Sequence, residues 1–175
     1  YSRGLELEVP TISTEGIGNI VLIGTANAGL DSSEGIYGGM TINAVDGDIS
    51  LTGTGSGQGI NSKGINGINL EAISSGTGNI SLAGYGGTGT DSAAGISLTD
   101  TRLETQSGNI NLLGEGGGFG LYGNGIEILT MGQGFNQIST LAAGSVIMNG
   151  TAGLYSNVSD DNIGLYMENT LVSVV

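Results

Sequence analysis

Gly78-Asn79-Ile80-Ser81-Leu82-Ala83-Gly84 is the stretch that decides the fold, because the chain repeats its pattern. Gly18-Asn19-Ile20-Val21-Leu22-Ile23-Gly24 and Gly47-Asp48-Ile49-Ser50-Leu51-Thr52-Gly53 precede it, and Gly108-Asn109-Ile110-Asn111-Leu112-Leu113-Gly114 follows, at spacings of 29, 31 and 30 residues. A fifth copy, Gly144-Ser145-Val146-Ile147-Met148-Asn149-Gly150, comes after 36 residues, and the extra length falls around Thr130 to Phe135. In every copy the third and fifth residues are apolar, and Ser50, Ser81 and Asn111 show that the residue between them is often polar. That spacing puts the apolar pair on one face of a strand.

A second element alternates with the first: Gly4-Leu5-Glu6-Leu7, Gly39-Met40-Thr41-Ile42, Gly67-Ile68-Asn69-Leu70, Gly95-Ile96-Ser97-Leu98, Gly125-Ile126-Glu127-Ile128 and Gly164-Leu165-Tyr166-Met167. Between them lies a looser β-prone segment, seen as Thr11-Ile12-Ser13, Ala72-Ile73-Ser74, Leu103-Glu104-Thr105, Ile138-Ser139-Thr140 and Leu171-Val172-Ser173. Glycines flank the strands and read as corners, where positive φ or close backbone approach is needed. A unit of about 30 residues with three short strands is too short for a four-stranded propeller blade of about 40 to 45 residues. Wrapped once around an axis, it stacks like strands at roughly 4.7 to 4.9 Å and fills a prism with Ile and Leu. The expectation is an all-β, right-handed parallel β-helix of five to six rungs with three parallel sheets. Residues 1–175 form one such segment, read as a piece of a longer repeat chain.

Composition agrees and removes several function classes. The chain holds 36 glycines and one proline, yet 38% of it is hydrophobic, so a core can form where helices cannot. Three basic residues, Arg3, Lys63 and Arg102, face sixteen acidic ones for a net charge of −13, which excludes nucleic acid as a partner. With neither cysteine nor histidine there is no disulfide framework and no His-ligated metal. No apolar run approaches the roughly 20 residues of a membrane-spanning helix, so membrane insertion is not expected.

The alternation of G-I-x-L and G-N-I-x-L-x-G-x-G units, clearest from Gly67 to Gly87 and from Gly95 to Gly117, resembles the filamentous haemagglutinin-like passengers of two-partner secretion, in their glycine-rich cyanobacterial style. The resemblance implies export to the cell surface and work as an adhesive or matrix fibre. The secretion domain typical of the family is not recognisable in the chain.

Candidate chemistry is sparse. Gly86-Gly87-Thr88-Gly89-Thr90-Asp91-Ser92-Ala93 fits much of a calcium-binding nonapeptide, and Asp31 and Asp91 lie 60 residues apart with Asn61 midway, so they are the calcium candidates on one corner. The plainer reading is a metal-free corner loop with solvated side chains. Asp46 with Asp48, Asp160 with Asp161, and Glu71 or Glu104 raise the question of paired carboxylates, but nothing places a pair across a substrate, and no catalytic residue is assigned. Runs such as Gly53-Thr54-Gly55-Ser56-Gly57 lack the Lys-Ser or Lys-Thr of a phosphate loop. Asn19, Asn79 and Asn109 share one register and invite an amide ladder, which Asp48 is expected to interrupt. Tyr37, Tyr122 and Tyr155 each follow a Gly-aliphatic pair and suggest an aromatic row for sugar rings or a neighbouring fibre. Asn79, Asn149 and Asn157 open N-x-S/T sequons. Thr52, Thr54, Thr88, Thr90, Thr99 and Thr101 fall at irregular phases, unlike the flat array of an ice-binding face.

The expected function is that of an extracellular or cell-surface structural and adhesive protein without enzymatic activity or cofactor. It would associate end to end or continue into more of the same chain, with surface glycans as possible partners. The alternative is a carbohydrate- or calcium-binding β-solenoid module.

Overall fold

A computed structural model describes residues 1–29, 31–154 and 162–175. The first turn is β1 (Ser2–Ser13) and β2 (Ile20–Thr25), and the second is β3 (Ser33–Ala44) and β4 (Ile49–Thr54). Then the long strand divides, giving β5 (Ile65–Ile68), β6 (Glu71–Ser74) and β7 (Ile80–Tyr85), followed by β8 (Ile96–Thr99), β9 (Arg102–Thr105) and β10 (Ile110–Glu115). The chain continues through β11 (Ile126–Leu129), β12 (Asn136–Thr140) and β13 (Val146–Thr151) to β14 (Leu165–Met167) and β15 (Thr170–Val174). No helix occurs among the described residues, and every strand pairing is parallel. The fold is a parallel β-solenoid.

One face is a five-stranded sheet ordered β13-β10-β7-β4-β2. The other two faces join into one ten-stranded sheet, because β1 and β3 run unbroken around the corner between them. On one side of β3 lie β5, β8, β11 and β14, and on the other β6, β9, β12 and β15. Inside, like meets like. Ile20, Ile49, Ile80, Ile110 and Val146 pair in succession, and so do Leu22, Leu51, Leu82, Leu112 and Met148. Leu5, Ile36, Ile65, Ile96, Ile126 and Leu165 form a third file, and Ile12, Ile42, Ala72, Leu103, Ile138 and Val172 a fourth. Away from the end turns these side chains are buried, each Ile or Leu contributing roughly 1.5–3 kcal/mol before chain entropy is subtracted.

The five copies of the Gly-Asn-Ile element stack in the expected register. Two copies of the other element do not: Ile36 and Ile65, not Met40 and Ile68, occupy the file of Ile96 and Ile126. The physical reason is that Gly38 and Gly67 hold the next inward position, where later turns carry Leu98 and Ile128. The missing volume is supplied from the neighbouring corner by Met40 and Leu70, both buried. A Cβ on Gly67 would lie 3.3 Å from Leu70 Cβ and 3.1 Å from Leu98 Cδ2, so that space is already filled.

The extra length of the fourth repeat is where expected. Leu129 pairs with Thr99 and Gln137 with Arg102, so eight steps of chain replace three between β11 and β12, which accounts for five of the six extra residues. The sixth lies between Thr140 and Val146, opposite Thr105 and Ile110.

Corners and glycines divide their work differently from the expectation. Two corner files adopt left-handed backbone without glycine: Ser32, Asn61, Ser92 and Tyr122 in one, Val9, Asn69, Asp100 and Asn169 in the other. Most glycines instead permit close approach. Gly24, Gly53, Gly84, Gly114 and Gly150 face Gly35, Gly64, Gly95, Gly125 and Gly164, so that the two sheets meet backbone to backbone. A Cβ on Gly84 would fall on the Gly95 carbonyl oxygen, and one on Gly95 on the Glu115 backbone nitrogen.

Candidate functional site

The three cations of this acidic chain are all held by carboxylates on the ten-stranded sheet. Arg3 donates from Nε to Glu34 Oε2 at 3.1 Å, pairs with Glu6, and stacks 3.6 Å from the Tyr37 ring centroid. Glu34 in turn accepts from Asn66 Nδ2 at 2.8 Å. Arg102 bridges Glu71 at 2.9 Å and Glu104 at 2.8 Å, with Gln137 donating to Glu104 at 3.3 Å.

Lys63 reaches farthest. It lies two residues before Ile65, and backbone hydrogen bonds from Gly64 to Ala94 and from Gly95 to Asn124 place Lys63, Ala94 and Asn124 in successive turns of one file. Ala94 is buried and small, so the lysine can run along the axis past its turn. Lys63 Nζ donates to Ser97 Oγ and Glu127 Oε1, both at 2.8 Å, and Asn124 Nδ2 donates to Glu127 Oε2 at 3.0 Å. Burial by itself pushes the Glu127 carboxyl up, but the Lys63 charge and hydrogen bonds from Lys63, Ser97 and Asn124 outweigh it and hold the group below the usual glutamate range. Glu127 is therefore ionised at neutral pH and capped by donors, an orienting group rather than a proton donor.

This pair ties the third turn to the fifth. Lys63→Met is expected to cost about 3–5 kcal/mol, because it strands a buried carboxylate. The sign of the pH dependence discriminates. In the native protein the Glu127 pKa is depressed, so its contribution is complete above the unfolded value of about 4.3 and is lost as pH falls through the lower folded value. In Lys63→Met only the Ser97 and Asn124 hydrogen bonds still oppose burial, so that pKa rises above its native value and the variant's deficit should shrink as pH is lowered toward 4. Melting curves of both proteins from neutral pH to about pH 4 check this; a deficit independent of pH would contradict the account.

Beside the pair opens a cleft of about 490 Å³, lined among others by Lys63, Tyr122, Asn124, Glu127, Tyr166 and Glu168. The Tyr166 hydroxyl donates to Glu168 Oε1 at 2.7 Å. Ser92, Leu129 and Ile163 complete the lining. The arrangement combines aromatic surface, one ammonium group and two carboxylates.

The calcium candidates are elsewhere. Asp31 Oδ1 accepts from the Ile60 backbone N–H at 3.2 Å, and Asp91 Oδ1 from that of Leu121 at 3.0 Å. Ile60, not Asn61, bridges to Asp91 in that corner, because the two turns there are 29 and 31 residues long rather than 30 each, and Asn61 falls in the left-handed file of Ser32 and Ser92. Each carboxylate thus caps the next turn, and among the described residues no three acidic groups converge on a metal position.

Asp48 continues the amide ladder instead of interrupting it. Each rung needs only a side-chain oxygen facing the next backbone N–H: Asn19 Oδ1 accepts from Asp48, Asp48 Oδ1 from Asn79, Asn79 Oδ1 from Asn109 and Asn109 Oδ1 from Ser145, all at 2.8–2.9 Å. Asp46 is likewise occupied, accepting from Thr77 N at 3.1 Å. Glu71 and Glu104 share Arg102 rather than facing a substrate. The tyrosines form no single row: Tyr37 lies under Arg3, Tyr122 sits on a corner, and Tyr155 is outside the described residues, as are Asn157, Asp160 and Asp161. Threonines form no flat array, since the file begun by Thr25 and Thr54 continues with Tyr85 and Glu115.

Sequence reasoning missed Lys63 with Glu127. The available signal was a lysine followed one turn on, in its own file, by the small Ala94. In comparisons with known proteins, no family model, no curated protein and no solved structure matches this chain.

Proposed function

We propose that the chain is a rigid segment of an extracellular filament or cell-surface adhesin, acting through end-to-end association and surface contacts. The observation that carries this reading is that the core files run out to both ends. In the last turn Leu165, Met167 and Val172 are 38%, 44% and 40% exposed, while Ile126, Ile128 and Ile138, one turn in, are at most 1% exposed. Leu5, Leu7, Ile12 and Leu22 of the first turn are only partly buried in the same way. A further turn of parallel strand, from another copy or from more of the same chain, would cover these side chains and pair the open backbone edges. The net charge of −13 opposes sideways clumping and so favours growth along the axis.

Sedimentation velocity and electron microscopy over a concentration series test the reading. Rods of constant width that lengthen with concentration, and that stay single in Leu165→Lys, are the expected outcome. Particles of one length at every concentration would overturn it.

A further inference from the structure

We propose that the cleft beside Lys63 and Glu127 binds a neutral oligosaccharide, with one pyranose ring lying against Tyr122. This goes beyond the filament reading and stands whether or not the rods join.

The first support is conformational. Tyr122 has φ 59°, in a corner file where the three preceding turns carry Ser32, Asn61 and Ser92. A bulky L-residue in this region costs roughly 1–2 kcal/mol, and such outliers persist where the position serves something besides stability. Packing does not repay that cost, since Tyr122 is 47% exposed. The fifth turn therefore carries an aromatic ring at its corner, facing a cleft to which the third and fourth turns contribute Lys63 and Ser92.

The second support is chemical. Tyr122 and Tyr166 line the same cleft, and the Tyr166 hydroxyl is fixed by Glu168. The negative face of an aromatic ring attracts the partly positive C–H face of a pyranose, while the polar rim of the sugar needs hydrogen-bonding groups around it. Lys63 Nζ gives two hydrogens to Ser97 and Glu127, and among the described residues its third has no acceptor. Glu168 and the two phenol groups supply acceptors and donors for hydroxyls. One lysine against two glutamates leaves the cleft net negative, on a rod already at −13, which selects against uronic or sulfated sugars. Its volume of about 490 Å³ falls within the range of roughly 300–1,000 Å³ usual for small-ligand sites.

Calorimetric titration of the intact chain with cellotetraose, maltotetraose, mannotetraose and chitotetraose, with tetragalacturonate as the acidic arm, tests the proposal. At least one neutral sugar should bind one-to-one, and tetragalacturonate should bind more weakly. Tyr122→Asn should weaken binding about ten-fold, the loss of one aromatic contact, while its melting temperature rises because asparagine tolerates the corner. Tyr166→Ala should weaken binding to a similar extent. Absence of binding by all four neutral sugars, preference for tetragalacturonate, or unchanged affinity in Tyr122→Asn would each overturn it.

Discussion

Leu82→Asp is expected to leave the chain unfolded at neutral pH. Leu82 is fully enclosed, with Leu51 below and Leu112 above it in file. Removing the side chain alone costs about 2–5 kcal/mol, and enclosing an ionised carboxylate without a partner adds several more. Together these approach or exceed the roughly 5–15 kcal/mol that stabilises a typical domain. The position sharpens the effect, because β7 is the middle strand of the five-stranded sheet. Breaking it leaves two turns on each side, fewer than the three or so that a solenoid needs to bury a continuous core. Far-UV circular dichroism and calorimetry read the result. Leu82→Met, which keeps the volume, should cost less than about 1.5 kcal/mol. A cooperative melt of the aspartate variant within a few degrees of the native protein would contradict the core assignment.

Gly84→Ala should cost about 3 kcal/mol or more, by overpacking. Ordinarily the sign is opposite, since alanine in place of glycine reduces the freedom of the unfolded chain and stabilises by about 0.4–1 kcal/mol. Here the added methyl meets the Gly95 carbonyl and Ile96 Cγ1, and backbone cannot step aside without opening the seam between the sheets. Gly18 provides the contrast. Its nearest neighbour to an added Cβ is Thr14 Cβ at 3.4 Å, an ordinary contact, so Gly18→Ala should be neutral or mildly stabilising. Gly84→Ala should melt well below the native protein and Gly18→Ala at or slightly above it; equal shifts would mean that the glycine seam is not a point of close approach.

The part of the fold legible in the sequence was the part where each turn repeats the same inward residues. Ile20, Ile49, Ile80, Ile110 and Val146 stack as their common Gly-flanked pattern requires. The pattern misled at Gly38 and Gly67, because a glycine at an inward position looks like punctuation when its missing volume comes from Met40 and Leu70 across a corner. The sequence pattern places glycine at the corners, yet Ser32, Asn61, Asn69, Ser92 and Asp100 turn there, and the glycines serve the seam. Both tasks favour residues that are small or polar, and spacing alone does not separate them. Asp48 reads in the sequence as a break because it lacks an amide, although the ladder requires only its oxygen.

The site was less legible, for a geometric reason. Lys63 and Glu127 are 64 residues apart and meet only because a long side chain passes a small one in the intervening turn. A repeat alignment brings out what is alike in successive turns, whereas this contact depends on what differs between them. Tyr122 and Tyr166 likewise come from different files and converge only through the bend of the corner.

Pulsed electron spin resonance between nitroxides on the outer face of the five-stranded sheet tests the stacking most directly. The chain has no cysteine, so Val21→Cys paired with Asn111→Cys or with Ile147→Cys gives unique labels on one outward file, Val21 and Ile147 being 60% and 55% exposed. The registers Val21–Ser50–Ser81–Asn111–Ile147 put these sites three and four turns apart. At about 4.8 Å per turn the backbone separations are about 14 Å and 19 Å, so the two distance distributions should be narrow and offset by one turn. Broad distributions, or a distance that does not grow from Asn111 to Ile147, would contradict the stacked solenoid and the functional readings built on it.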